Sequence, residues 1–110
     1  MGTKALDAFG ALLMRRVRDQ AILEMQRRAH RKMMGSLSAS ELDEVKRFVP
    51  LVVDEVLHHM LWTIKQEEEI TLLFKDEAGV DQNLREASVD GLEGELYDWV
   101  DRYSSYPRSD

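Results

Sequence analysis

The chain contains 110 residues, of which 44% are hydrophobic, 33% are charged and none is cysteine. This length suits a single domain over 1–110 with a modest core, and the lack of cysteine excludes disulfides, thiolate metal sites and thiol nucleophiles. The net charge of −6 is unevenly distributed, because residues 1–34 carry eight Lys or Arg and three acids (+5), whereas 35–110 carry seven and eighteen (−11).

The first predicted element is a basic helix over 3–34. Its first apolar face comprises Leu6, Phe9, Leu13 and Val17. Apolar residues then continue in steps of four, and each such step overshoots a full turn by about 40°, so the stripe rotates along the helix. A straight helix cannot press both halves against one neighbour. We therefore expect a break near Asp19, a wrapping helix, or two ends that serve different partners, with Gly35 ending the helix.

The next segment, 39–68, is predicted to form two core helices separated by Pro50. Ser38 and Glu41 have the spacing of a capping box, which begins the first helix. Proline removes a helical hydrogen bond and clashes with the preceding turn, so we expect a break or kink around Phe48 and Val49. The second helix is apolar nearly all round, which is typical of a bundle centre or an oligomer interface. Its predicted buried face comprises Val52, Val53, Val56, Met60 and Ile64.

The segment 70–74 is ambiguous, because its β-branched and aromatic residues suit a short strand while its position suits a helical end. A loop is predicted after it. A C-terminal helix over 90–103 follows, since Asp90 and Glu93 again have capping-box spacing. Its predicted core face comprises Leu92, Leu96, Trp99, Val100 and Tyr103. We expect 104–110 to be a frayed tail.

Together these elements predict an all-α fold, a small bundle of four or five helices with at most one short strand at 70–74. The chain begins without an apolar signal core, and no apolar run is long enough to span a membrane. We therefore expect a cytoplasmic protein with no membrane span.

The strongest candidate for metal chemistry is the pair Glu55 and His58, with His59 beside it. At the i, i+3 spacing both side chains leave one helical face and can reach the same ion, as in di-iron bundles. Such sites need two pairs and two further glutamates, whereas this chain offers one pair, which a homodimer would double. The chain has neither a nucleophile elbow nor a phosphate-binding glycine loop, so we expect no cofactor, and a non-enzymatic function is favoured.

The basic N-terminal helix is a candidate nucleic-acid surface, because guanidinium groups pair bidentately with phosphates. However, Phe9 is the sole aromatic residue near it, and the chain as a whole is acidic. Dedicated nucleic-acid binders are usually basic, so nucleic acid ranks below protein as a partner. The basic residues of this surface are Arg15, Arg16, Arg18, Arg27, Arg28, Arg31 and Lys32.

The acidic remainder favours a basic protein partner through electrostatic complementarity. The preferred interpretation is a non-enzymatic interaction module, immunity-type or regulatory, that binds another protein and also itself as a homo-oligomer. Tyr97 and Tyr106 are the aromatic residues that the predicted core leaves available for such an interface. The candidate partner-binding residues are Arg15, Arg16, Arg27, Arg28, Arg31, Tyr97 and Tyr106. The metal site and the nucleic-acid surface are the alternatives.

Overall fold

The computed structural model describes residues 3–108, and the chain over this range is predominantly helical, as predicted. The first half contains α1 (Thr3–Leu12), a π-helical segment (Leu13–Arg18), α2 (Asp19–Met33) and α3 (Ala39–Gln66). The second half contains β1 (Leu73–Lys75), β2 (Asp81–Asn83), α4 (Leu84–Ala87), a 3₁₀ turn (Leu92–Glu95) and α5 (Leu96–Tyr103). The main apolar core is built from α1, the π-helical segment, the C-terminal half of α3, α4, the 3₁₀ turn and α5.

Trp99 of α5 is the largest fully buried side chain of this core. Phe9 meets its ring edge to face at 5.8 Å and meets Phe74 of β1 in the same way at 5.9 Å. Gly10 of α1 lies directly against the indole, since a Cβ at this glycine would come within 2.4 Å of the ring. The core therefore requires a glycine at this point for α1 and α5 to approach each other.

The N-terminal helix is continuous, and π-helical turns replace the break expected near Asp19. The Asp19 N–H donates to the carbonyl of Met14, five residues earlier. A π turn holds more residues than an α turn, so it offsets the rotation that four-residue steps accumulate. It also changes which residues face inward: Met14 and Arg18 are buried, whereas Val17, expected on the core face, is exposed.

Helix α3 continues through Pro50, so the prediction of two Pro-interrupted helices over 39–68 is wrong. Proline cannot donate to the carbonyl of Lys46, four residues earlier. Gln26 of α2 takes over this role, because its Nε2 donates to the Lys46 oxygen at 2.9 Å. The neighbouring helix thus satisfies the carbonyl that the proline leaves unpaired. At the start of α3 the predicted capping box of Ser38 and Glu41 is confirmed.

The buried face of α3 also differs from the predicted one. Its buried side chains are Leu42, Asp54, Leu57 and Leu61. Val52, Val56 and Met60, which were expected in the core, are exposed. Val53 and Ile64 of the predicted face are partly buried and pack against the core. Aspartate is seldom buried. Here Asp54 is buried together with the guanidinium of Arg18. The side of the helix that carries Val52 and Val56 therefore faces solvent.

A two-stranded antiparallel sheet accompanies the helices, so the fold is mostly helical rather than all-α. Part of the ambiguous segment 70–74 forms β1, in which Phe74 lies opposite Gln82 of β2. Strand β2 falls in a segment predicted to be a loop. Asp76 organises the connection between the strands, because its side chain accepts hydrogen bonds from the N–H groups of Ala78 and Val80.

The C-terminal helix begins later than the predicted 90–103. Gly91 has a φ of +86°, a 3₁₀ turn follows it, and α5 begins at Leu96. Glu93 forms an ion pair with Lys65 of α3 at 2.8 Å instead of capping the helix. The predicted core face is confirmed, since Leu92, Leu96, Trp99 and Val100 are buried and Tyr103 packs against them.

A buried charge network joins the N-terminal helix, α3 and the segment after α5. Arg18 is fully buried, and all five of its N–H donors are used. Nε and Nη2 donate to the two carboxylate oxygens of Asp54 at 2.6 and 3.0 Å. Nη1 donates to Ser104 Oγ and to the Tyr106 carbonyl, both at 2.7 Å, and Nη2 donates to the Pro107 carbonyl at 3.0 Å.

Asp19, the next residue, holds the same segment. The Ser104 hydroxyl donates to one oxygen of Asp19, and the Ser105 N–H donates to the other at 2.9 Å. Two buried charged side chains therefore fix 104–107, and the prediction of a frayed tail there is wrong. The last two residues of that predicted tail, 109–110, lie outside the described residues. Arg18 was also predicted to contact phosphate, which its complete burial excludes.

We expect Arg18→Met to lower the free energy of unfolding by about 3–5 kcal/mol, because it leaves Asp54 buried without its guanidinium partner. Urea denaturation measures this loss, and hydrogen exchange should show faster exchange at the Ser105 amide. Arg16→Met, two residues away and exposed, is the control and should change stability by about 0.5 kcal/mol or less. Equal effects of the two substitutions would contradict the role of the network.

We expect Gln26→Met to cost about 1 kcal/mol of stability, because the Lys46 carbonyl then loses its donor. In a Pro50→Ala background the cost should be smaller, since the substituted alanine restores a helical N–H to that carbonyl. A double-mutant cycle by urea denaturation measures the difference. If Gln26→Met costs the same in both backgrounds, Gln26 does not compensate for the proline.

Candidate partner-binding surfaces

Helix α2 and the N-terminal half of α3 form a helical hairpin (residues 19–53). The turn between them contains Gly35 at a φ of +91°, a backbone conformation that favours glycine. The two helices bury Ile22 and Leu42 and pack mainly against each other. Their contact therefore leaves a groove on each flank.

The first flank carries an apolar groove of about 540 Å³, which we call the open groove. It is lined by Met25 of α2 and by Val45, Phe48, Val49, Val52 and Val53 of α3, with Glu44 at its edge. Phe48 is 59% exposed although its side chain is entirely apolar.

The apolar surface continues along α3 beyond the open groove. Phe48, Val52, Val56 and Met60 recur every four residues, so they form one ridge on the helix. Val56 is 63% exposed, and Met60 is also exposed. Monomeric proteins rarely leave an apolar surface of this extent uncovered, and such surfaces mark interaction sites.

The two edges of this surface carry opposite charges. On α3 the outer edge holds Glu41, Glu44 and Glu55, at four- and seven-residue spacings from Phe48, and we call it the acidic rim. On α2 the outer edge holds Arg28 and Lys32, three and seven residues after Met25, and we call it the basic rim. Each rim also makes one ion pair with a neighbouring residue on its own helix, Arg28 with Glu24 at 3.9 Å and Glu44 with Arg47 at 2.6 Å. Both pairs are exposed and contribute little to stability.

The second flank carries a groove of about 350 Å³, which we call the basic groove. It is lined by Leu23, Gln26, Arg27, His30, Arg31 and Lys46. Over the described range, Arg27, Arg31 and Lys46 take part in no ion pair. The helical hairpin thus separates the predicted arginines, with Arg27 and Arg31 on this flank and Arg28 on the other. Lys46 belongs to this surface although the sequence did not suggest it, because it lies on another helix, 19 residues after Arg27 and 15 after Arg31.

The other predicted partner residues lie elsewhere. Arg15 and Arg16 are exposed on the π-helical segment, and the guanidinium of Arg15 lies 5.5 Å from the centre of the Tyr103 ring. Tyr97 is exposed on α5, with the Arg108 guanidinium 5.8 Å from its ring centre. Tyr106 lines a third groove beside Pro50 and Arg108. Arg108 is therefore the residue that both predicted tyrosines share.

The predicted metal ligands share one turn of α3, on which Glu55 and His59 are exposed and His58 is half-buried. His59 Nε2 lies 3.2 Å from Glu55 Oε1, so Glu55 pairs at the i, i+4 spacing rather than with His58. The ring of His58 meets that of His59 edge to face at 5.7 Å. Among residues 3–108, no group of three or more His, Asp or Glu side chains is arranged to hold a metal ion.

Glu93 lies near this turn and has a shifted pKa. Burial raises the pKa of the Glu93 carboxyl, but the hydrogen bond and charge of Lys65, together with its own backbone and the charge of His58, outweigh burial. The net effect lowers the pKa below the ordinary glutamate value. Glu93 is thus held as a carboxylate by its partners and serves as a structural anion.

No helix in the described part of the chain combines the length and apolar content needed to cross a membrane. Comparison with protein-family models, with curated proteins and with solved structures gave no match.

Proposed function

We propose that the protein is a non-enzymatic interaction module that binds another protein through the open groove. The observation that carries this proposal is the uncovered apolar surface from Phe48 to Met60 on α3. Covering apolar area is the main favourable term in protein association, so this surface gains most from a partner. A helical segment with an apolar face fits a groove between two helices of this kind.

The acidic rim defines the chemistry of the partner. A helix seated in the open groove passes Glu44 and Glu55, whose side chains are 74% and 67% exposed. Basic residues flanking the partner's apolar face would complement these carboxylates and steer association. The proposal therefore includes a partner that presents basic residues to the acidic rim. It also includes an immunity-type or regulatory role, a cytoplasmic location and a helical bundle that the partner completes.

Site-specific photo-crosslinking tests the proposal in the cells that naturally produce the protein. A photoreactive phenylalanine analogue at Val52, in the open groove, should yield a discrete protein adduct. The same analogue at Val89, which is 94% exposed and outside the groove, is the control and should yield none. If Val52 also yields no adduct, or both positions give the same smear, the open groove is not a protein-binding site.

A second candidate function, binding of nucleic acid, is favoured by the basic groove. Arg27, Arg31 and Lys46 converge there without acidic partners among residues 3–108, and guanidinium groups suit phosphate oxygens. The residues that line the groove include no Phe, Tyr or Trp, so contacts would go to the backbone rather than to stacked bases.

For this candidate we expect duplex DNA to bind with an affinity that falls steeply as salt increases, because counterions are released. Fluorescence anisotropy across a salt series measures the slope. Arg27→Glu with Arg31→Glu should abolish binding, whereas Arg28→Glu, on the opposite flank, should have a smaller effect. A salt-independent affinity, or equal losses in all variants, would contradict a role for the basic groove.

A further inference from the structure

We propose that the partner in the open groove is a second copy of this chain, in a symmetric dimer whose two helical hairpins form a four-helix bundle. The inference rests on the proposed function, because it identifies the occupant of the same groove. Its basis is that the surface carries a basic rim on α2 and an acidic rim on α3, and is therefore complementary to itself.

Charges of opposite sign stand at the same height on the two rims. The hydrogen bond from α2 to the Lys46 carbonyl sets residue 26 beside residue 46. Because the helices are antiparallel with the same rise per residue, Arg28 stands level with Glu44. Lys32 and Glu41 also stand at about the same height as each other, roughly one helical turn closer to the loop that joins the two helices.

A twofold axis parallel to the helices brings these charges together. This rotation exchanges the sides of the hairpin without any shift along the axis, so α2 of one copy lies over α3 of the other. Arg28 then meets Glu44 of the partner subunit, and Lys32 meets Glu41 of the partner subunit. Symmetry repeats both pairs, so four opposite-charge contacts border the interface.

The other face-to-face arrangement is disfavoured by the same charges. A twofold axis across the helices would stack α2 on α2 and α3 on α3. The basic rims of the two copies would then lie against each other, as would the acidic rims, and like charges in contact oppose association. The charge pattern therefore selects the axis parallel to the helices.

The apolar residues suit the same arrangement. At its height on α2, Met25 stands level with residues 47 and 48, so it faces Phe48 of the partner subunit. A thioether beside an aromatic ring is a favourable contact. The 15-residue α2 and the paired part of α3 are each about 22 Å long and about 10 Å wide, so together they present roughly 450 Å² of projected face. This is of the order of the roughly 800 Å² that each partner buries in a standard interface.

The exposed ridge shows that this side of α3 is accessible over its length. Val56 and Met60 lie beyond the helical hairpin, at the level of the main core, and both are exposed. The core elements therefore leave this face of α3 uncovered. A second copy can lie along α3 from Glu41 to Met60.

Sedimentation equilibrium of the full chain tests the dimer at micromolar concentration. The expected mass is twice the 12.8 kDa of one chain. Arg28→Glu should raise the dimer dissociation constant by about tenfold, because symmetry introduces the like-charge contact twice. Glu44→Arg should do the same, and the double variant Arg28→Glu/Glu44→Arg should restore the dissociation constant of the natural sequence.

Arg27→Glu is the matched control, since it makes the same charge change one residue away but faces the basic groove; it should leave the dimer intact. Circular dichroism melting checks that each variant folds. A monomer at all concentrations, or a dimer that the charge exchange neither weakens nor restores, overturns the second copy as occupant. In that case an adduct of Val52 with a different protein keeps the proposed function, whereas no adduct ends both.

Discussion

The buried guanidinium of Arg18 is the constraint on which the rest of the structure depends. Removing a guanidinium from water is costly, and the cost is offset only when every donor finds an acceptor. Here the acceptors come from α3 and from the segment after α5, so these parts must meet around one residue. Arg18 lies at the end of the π-helical segment, and its inward orientation determines how α2 leaves the core.

The same network explains why α3 shows an apolar face to solvent. Val52 and Val56 are each two residues from Asp54, and two residues on a helix are about 200° apart. When Asp54 turns inward to meet Arg18, both valines must turn outward. The exposed ridge is thus a geometric result of burying an aspartate in an apolar helix. A buried ion pair is weak as a source of stability, but here it specifies which side of α3 is available to a partner.

Local signals in the sequence predicted much of the helical framework. The capping box of Ser38 and Glu41, the turn at Gly35 and the core face of the C-terminal helix depend on residues close together in the chain, and all three are present. The failures involve distant residues. The helix through Pro50 requires Gln26, twenty-four positions earlier, and the burial of Arg18 requires acceptors more than eighty positions later.

The candidate surfaces, too, were predictable only as far as residues close together in the chain define them. Periodicity identified α3 as apolar on too many sides for a lone helix, but it assigned Val52 and Val56 to the core rather than to the exposed surface. Helical geometry alone separates Arg27 and Arg31 from Arg28. The positions of Lys46 and Glu44 opposite them, however, depend on how α3 packs beside α2. The sequence indicates that an interaction surface exists, but the residues that border this surface can be identified only from the packing of α2 against α3.

The π-helical segment also determines where this chain can tolerate a change of length. A π turn amounts to one extra residue within an α-helix, so losing one residue between Leu13 and Arg18 would leave a regular helix and keep the orientation of α2. The α2 helix contains no extra residue of this kind, so a deletion within it would turn every following residue of that helix by about 100°. A deletion near the start of α2 would place Arg28 and Lys32 of the basic rim at the positions of Arg27 and Arg31, on the flank of the basic groove. Related sequences should therefore vary by one residue in the π-helical segment more readily than in α2.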